Sequence, residues 1–196
     1  MVIKEMVLTG LFGLMLSTLA VAEEANETDW AVTAYGAVLS SEGIEDVLAL
    51  SADYDDDYRL AAIALSRGID EEFQNIDLEW EAQLVKHVSG QDHWEVNGLV
   101  VGRWLPFPWD STVDTSLAFG AGLSYATDLP EFEQANQDNA NELLAYLMLE
   151  LELKPPGSEH WSLVVRVHHR SGAYGLFDDV EGASNALGVG FKYRFK

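Results

Sequence analysis

Two residues near the C-terminal end of the chain combine a possible general base with a possible nucleophile. His169 and Ser171 stand two positions apart in the stretch VVRVHHRSGAYG, residues 164–175. A serine hydroxyl is a poor nucleophile until a base removes its proton, and histidine is the side chain that most often does so. The pair could therefore perform acyl transfer, provided that both side chains lie on the same face of the element that carries them.

A second set of residues could bind a metal ion. His87 and His93 flank a predicted hairpin turn, and Glu95 follows closely. Imidazole and carboxylate groups together are suitable ligands for divalent transition metals. Histidines beside a hairpin are more often hydrogen-bonded or solvated, however, so the sequence predicts neither a metal nor any other cofactor.

The elements that position these residues are predicted to be strands with one apolar and one polar face. Apolar residues recur at every second position from Leu143 to Leu153, and Tyr146, Glu150 and Glu152 alternate with them. Similar alternation elsewhere predicts eight strands, at residues 30–39, 57–68, 75–87, 93–105, 112–126, 141–154, 160–171 and 184–196.

A soluble β-sandwich would also alternate, but two properties favour a membrane barrel. The predicted strands are mostly about 11–13 residues long, whereas strands of globular proteins usually have roughly 5–6 and tilted transmembrane strands need roughly 9–11. The apolar faces also stay apolar along their whole length. We therefore predict an all-β fold, an eight-stranded antiparallel transmembrane outer-membrane β-barrel whose interior is filled by side chains.

The N-terminal residues and the overall charge indicate export and exclude some partners. Lys4, the apolar run 6–19 and the sequence Ala20-Val21-Ala22 predict a signal peptide over residues 1–22, which leaves residues 23–196 as a single barrel domain. The formal net charge of −22 argues against a nucleic-acid partner, since phosphates require Lys and Arg. The chain has no cysteine, so stability must come from strand pairing and packing.

Connection lengths predict how the barrel is oriented. Short connections near 69–74, 106–111 and 155–159 suit periplasmic turns, and long ones at 40–56, 127–140 and 172–183 suit external loops, with 88–92 as an exception. An aromatic girdle is then expected at the periplasmic end. The ending YRF, one residue before the terminus, resembles the signature by which the barrel assembly machinery recognises bacterial outer-membrane proteins. The girdle residues are Trp30, Trp104, Trp109 and Trp161.

Alternation also predicts which side chains of two strands face lipid. In the seventh strand, Ser162, Arg166, His168 and Arg170 should face the interior, so His169 and Ser171 fall on the lipid side near the external end. Across the hairpin near residue 90, pairing His87 with His93 predicts that Gln83 lies opposite Asn97 and that Asp77 lies opposite Arg103.

The segment HRSGA, residues 169–173, resembles the His-x-Ser-Asn-Ala segment of the lipid A 3-O-deacylases, eight-stranded outer-membrane esterases. The resemblance covers mainly the last thirty or so residues. It implies that His169 is the general base, that Ser171 is the nucleophile, and that a glutamate before the last strand orients the histidine. Glu181 is the nearest match for that acid, with Asp178 and Asp179 as alternatives. Gly172 replaces the family's asparagine, and its N–H is the candidate oxyanion donor.

Three functions follow from these observations. The resemblance implies an esterase that removes an ester-linked acyl chain from lipid A, with lipopolysaccharide and membrane lipids as partners. The alternative is a non-enzymatic barrel that serves membrane integrity, adhesion or resistance through its loops and carries a degenerate site. An acyltransferase is disfavoured, because the acidic interior faces do not suggest an acyl-chain pocket and no amphipathic helix is predicted before Trp30.

Overall fold

Eight strands form most of the described chain. The computed structural model describes residues 30–73, 75–177, 180 and 183–195, so the predicted signal peptide lies outside the described residues. Two short helices, α1 (Ile44–Leu48) and α2 (Glu131–Asn136), lie in connections between strands. The strands are β1 (Trp30–Ser40), β2 (Asp55–Phe73), β3 (Ile76–Ser89), β4 (Trp94–Trp104), β5 (Asp114–Ala126), β6 (Leu143–Lys154), β7 (Trp161–Ser171) and β8 (Ala183–Phe195).

The sheet closes on itself between the first strand and the last. Every strand pairs antiparallel with its neighbours, and β1 pairs with β8 from Trp30 opposite Phe195 to Ser40 opposite Asn185. Closure gives each strand two partners and leaves no sheet edge, which is the condition for strands to lie in lipid. The predicted eight-stranded antiparallel barrel is confirmed.

One connection is shorter than the sequence predicts. Residues 69–74 were expected to form a turn, but β2 continues to Phe73 and pairs with β3 as far as Ile76. The pairing register shifts between Ile69 and Glu72, so an irregularity allows the ladder to extend beyond the predicted strand end.

The two faces of the barrel differ in the way the alternation predicts. In β6, the inward residues Tyr146, Met148 and Glu150 are fully buried, whereas the outward Leu143 and Leu151 are exposed. Large apolar side chains are exposed around the rest of the barrel as well. A continuous outward apolar surface with a polar interior is what a lipid-facing barrel requires. Further members of this surface are Ile63, Leu84, Val100, Phe119, Leu123, Leu163, Val189 and Phe191.

Charged side chains fill one half of the interior. Arg166, which is fully buried, extends Nη1 to within 2.8 Å of Glu81 Oε1 and Nε to within 3.0 Å of Glu150 Oε2. Lys192 also contacts Glu150, so each buried carboxylate is matched by cations, which such charges require. We call this set the interior ion-pair network; it consists of Arg103, Arg166, Lys192, Arg194, Glu79, Glu81, Glu150 and Glu152.

The predicted hairpin register is confirmed, with one change in side-chain pairing. Gln83 lies opposite Asn97 and Asp77 lies opposite Arg103. The Arg103 guanidinium nevertheless bonds Glu79, with 2.6 Å between Nε and Oε1, because Asp77 is exposed at the end of the barrel while Arg103 is buried.

The other half of the interior holds tyrosine and histidine side chains around Glu95, beneath a cap. The hydroxyl oxygens of Tyr35 and Tyr146 each lie 3.1 Å from His168 Nδ1, and His168 Nε2 lies 3.1 Å from Glu95 Oε2. Above them, α2 inserts Phe132 into an apolar cluster that includes Leu39, Leu60 and Val85. The interior is therefore filled by side chains, as predicted.

The connections define two ends of the barrel. In the predicted orientation, the external end carries residues 41–54, 90–93, 127–142, 172–177 and 180, and the periplasmic end carries residues 105–113 and 155–160. Three tryptophan side chains at the periplasmic end are at least half exposed, namely Trp104, Trp109 and Trp161. Trp30 begins β1 at the same end. No helix among the described residues is long and apolar enough to cross a bilayer.

Candidate active site

The strand β7 presents its polar residues on both faces. Ser162, Arg166, His168 and Arg170 are buried in the interior, as predicted. Alternation places Trp161 and Leu163 outward, where both are exposed, and continues to His169 and Ser171, which are half-buried. The two candidate catalytic residues therefore share the lipid-facing side of one strand.

Both residues lie at the external end of this face. Ser171 is the last residue of β7, where it is paired with Ala145, and His169 is paired with Leu147 of β6 and with Asn185 of β8. In the predicted orientation β7 begins at the periplasmic end, and the pair then lies at the level of the outer leaflet. A histidine and a hydroxyl are costly in hydrocarbon but are tolerated near the headgroups.

A hydrogen-bond chain fixes the orientation of His169. The Asn185 amide donates from Nδ2 to the carbonyl oxygen of Glu42 at 2.7 Å, so its Oδ1 is left as an acceptor. That Oδ1 lies 2.7 Å from His169 Nδ1. Nδ1 must therefore carry the imidazole proton, and in the neutral ring Nε2 is the basic nitrogen. This is the tautomer that a general base for Ser171 requires.

The chain turns sharply immediately after Ser171. A Cβ added to Gly172 would lie 1.8 Å from the carbonyl oxygen of Val180, so this position accepts only glycine. Ala173 and Tyr174 follow with φ angles of 49° and 59°, a left-handed conformation that costs energy for residues with a side chain. The close approach to Val180 is a physical reason for a glycine at this position.

The acid predicted for the triad, Glu181, and the alternatives Asp178 and Asp179 lie outside the described residues. Asn185, which the sequence analysis missed, is the residue that contacts His169. Alternation in β8 could have placed Asn185 on the same outward face as His169, because Asn185 belongs to the outward set with Leu187 and Val189.

The possible metal ligands also lie together, but inside the barrel. His87, His93 and Glu95 are buried, and one ligand atom from each lies within 4.8 Å of the others. This group faces the interior from β3 and β4, whereas His169 faces outward from β7. The two sets therefore form separate sites.

Comparison with known proteins gives the architectural class. No protein-family model matches the chain, and no curated protein matches its sequence. Among solved structures, it is similar to small outer-membrane barrels. The outer membrane enzyme PagL gives a TM-score of 0.56 at 15% identity, over 83% of this chain and 98% of that one.

A second solved structure supports the same class. Neisserial surface protein A (NspA) gives a TM-score of 0.50 at 15% identity, over 88% of this chain and 100% of that one. At these identities the similarity is one of fold. It confirms the predicted outer-membrane barrel, and the predicted location in the bacterial outer membrane agrees with it.

Proposed function

We propose that this barrel is an outer-membrane esterase that removes an ester-linked acyl chain from lipid A, with Ser171 as nucleophile and His169 as general base. The observation that carries the proposal is the outward position of both residues at the external end, with His169 held by Asn185 in the tautomer that leaves Nε2 basic. In this proposal residues 1–22 direct export, the assembly machinery inserts residues 23–196, and no metal or cofactor takes part.

The reaction proceeds in two steps. His169 Nε2 takes the proton of the Ser171 hydroxyl while Oγ attacks the ester carbonyl, and the Gly172 N–H donates to the oxyanion. The tetrahedral intermediate then breaks its bond to the sugar oxygen, which receives the proton from His169. A water molecule, deprotonated by His169, finally attacks the acyl-serine. The bond between the acyl carbon and Oγ then breaks, Oγ recovers the proton from His169, and the fatty acid is released.

Asn185 takes the orienting role in this mechanism. An amide can hold a catalytic histidine, as it does in the Cys-His-Asn sites of papain-like proteases. It brings no negative charge to stabilise the imidazolium, so the rate should be lower than with a carboxylate. Glu181, Asp178 or Asp179 would be an additional orienting acid if one of them approaches the ring.

The position of the site supports lipid A as the substrate class. The outward surface beside His169 is apolar, with Leu147 as its direct neighbour on β6, so acyl chains can pack beside the nucleophile. Lipid A has its ester-linked chains in the outer leaflet. The similarity to PagL and the HRSGA segment support the same assignment.

A second candidate function is a non-enzymatic surface barrel with a degenerate site. The observation that favours it is that the described partner of His169 is a neutral amide. In this case the function would depend on the external connections, and lipopolysaccharide would be a surrounding lipid only.

The lipid A mass profile of cells that express the protein distinguishes the two functions. We expect the wild type to yield lipid A lacking one acyl chain, and Ser171→Ala and His169→Ala to abolish that loss while the barrel still assembles. Ser162→Ala is the matched control, because Ser162 is on the same strand but faces the interior. Deacylation that survives Ser171→Ala would refute the proposed nucleophile, and an unmodified profile from the wild type would favour the non-enzymatic barrel.

A further inference from the structure

Two histidines and a glutamate converge beneath the external end of the barrel interior. His87 lies in β3, His93 immediately precedes β4, and Glu95 follows in β4. The relative exposures are 3%, 3% and 1%, and the two imidazole rings stack with centroids 4.1 Å apart. Glu95 Oε1 lies 2.7 Å from His87 Nε2 and 3.7 Å from His93 Nε2.

The hydrogen bonds of His87 determine which of its ring nitrogens carries the proton. The Gln91 side chain accepts from the Phe132 N–H through Oε1 at 3.0 Å, so its Nε2 donates to His87 Nδ1 at 2.8 Å. His87 must then carry its proton on Nε2, from which it donates to Glu95 Oε1.

His93 is the group that this arrangement leaves unsatisfied. Its Nε2 is buried and finds no hydrogen-bond partner among the described residues, although it points towards the same Glu95 oxygen. Buried polar atoms are nearly always partnered, so an orphaned imidazole nitrogen requires an explanation. A cation between the three groups would explain a buried imidazole nitrogen directed at a carboxylate that is already bonded to a second imidazole.

We propose that His87 Nε2, His93 Nε2 and Glu95 Oε1 bind one divalent transition-metal ion, with Zn²⁺ as the best match. Two imidazoles and a carboxylate form a known three-residue zinc set, to which water adds a fourth ligand. Tetrahedral ligands at about 2.0–2.1 Å from zinc are separated by roughly 3.3 Å. The two observed separations from Glu95 Oε1, 2.7 Å and 3.7 Å, lie on either side of that value, and one ligand atom from each of the three residues lies within 4.8 Å of the others.

The surroundings supply an entry path and support for the ligands. A depression of about 700 Å³ at the external end is lined by His87, Gln91, Asp92 and Glu131, and an ion can approach through it. His168 holds the other oxygen of Glu95 at 3.1 Å, which fixes the carboxylate. Such second contacts to metal ligands orient them and raise affinity.

Metal binding requires a proton and an amide to move. When Nε2 of His87 coordinates the ion, its proton is taken up at Nδ1, so that no net proton is released by this ring. Gln91 must then turn its Oε1 to accept from Nδ1, which withdraws that oxygen from the Phe132 N–H. A glutamate at position 91 would accept from both groups at once, and so would favour the metal-bound form.

The test uses the mature protein in detergent, stripped with a chelator and titrated calorimetrically with ZnCl₂ in excess Mg²⁺, which occupies exposed carboxylates. We expect one ion per barrel, and binding about tenfold weaker or more in His93→Gln. Gln91→Glu should bind more tightly than the wild type. Gln134→Glu, the same change on the exposed surface of α2, should have no effect, and neither should His160→Gln at the periplasmic end.

A second measurement needs no variant. X-ray absorption of the zinc-loaded wild type should show two imidazole nitrogens at about 2.0 Å. Oxygen-only coordination, absence of saturable binding, or equal affinity of wild type and His93→Gln would overturn the proposal. Heat-modifiable migration on gels verifies that each variant is folded.

Discussion

The two faces of β7 carry similar polar side chains that differ in their hydrogen bonding. Inward, Arg166 divides its donors between two glutamates, and Arg170 bonds Ser124 and Glu133. Outward, His169 has its described hydrogen bond at Nδ1 alone, so that Nε2 remains the basic nitrogen. The inward groups hold one another in place, whereas the outward histidine keeps a ring nitrogen that can accept a proton.

This difference separates two roles of polar residues in one strand. Residue type alone does not distinguish the two roles, because the stretch VHHR, residues 167–170, contains an inward His168 followed by an outward His169. The hydrogen-bond partners on neighbouring strands distinguish them. A saturated polar group contributes to stability, and one with an unused acceptor is available for chemistry.

The largest expected effect comes from breaking the inward face. Arg166→Met would leave Glu81 and Glu150 buried with less cationic charge, and should lower the free energy of unfolding by about 3–5 kcal/mol. Urea titration in detergent, followed by tryptophan fluorescence, measures the change. Lys154→Met removes an exposed pair with Asp114 and should cost about 1 kcal/mol or less. Equal midpoints for the two variants would mean that the interior network does not stabilise the barrel.

A charge on the outward face tests whether that face contacts lipid. Leu149→Arg on β6 should destabilise the barrel by about 2–4 kcal/mol, because a cation near the middle of the bilayer is costly. Unfolding from lipid vesicles is the appropriate measurement. Ala135→Arg, on the exposed surface of α2, is the control and should change stability by about 0.5 kcal/mol or less. An equally harmless Leu149→Arg would contradict the assigned lipid face.

The outward pair itself is tested through its orienting residue. If the proposed esterase is correct, Asn185→Ala should slow deacylation by roughly tenfold to a hundredfold, less than loss of the nucleophile or base. Nitrogen chemical shifts of His169 provide a second readout, since the Nδ1–H tautomer should lose its preference. Asn75→Ala at the periplasmic turn is the matched control. An unchanged tautomer together with an unchanged rate would remove Asn185 from the site.

The smallest effect is expected at Glu133 of α2, which bonds the inward Arg170. Burial raises the pKa of Glu133 in α2, although Arg170 opposes the shift, and its Oε2 has no partner among the described residues. A raised pKa in the folded state means that the stabilising contribution is greatest at acidic pH and is lost as the pH rises through that value.

Glu133→Gln keeps an acceptor for Arg170 and Ser184 without the buried charge. At neutral pH it should therefore change stability by only about 1 kcal/mol, with a flatter pH dependence than the wild type. Urea titrations at acidic and neutral pH measure both. A steeper dependence in the variant would show that the sign assigned to Glu133 is wrong.

Alternation was sufficient to predict the strands and their faces, because lipid and interior impose opposite requirements on successive residues. It placed Ser171 outward and Arg166 inward correctly. It did not reveal that Asn185 meets His169, since that contact depends on the pairing of β7 with β8 and on a loop carbonyl from Glu42. Nor did it show that α2 caps the interior with Phe132, because a loop helix of six residues has no strand periodicity.

The interior ion-pair network also determines how the barrel can form. Arg166 and Glu81 are 85 positions apart, and Tyr35 and His168 are 133 apart, so neither contact exists within a single hairpin. Contacts of such sequence separation slow folding. Until β1 meets β8, the charges line an open concave sheet and must remain hydrated, because unpaired charge in hydrocarbon is expensive. We therefore expect the interior charges to lose their water only when β1 pairs with β8.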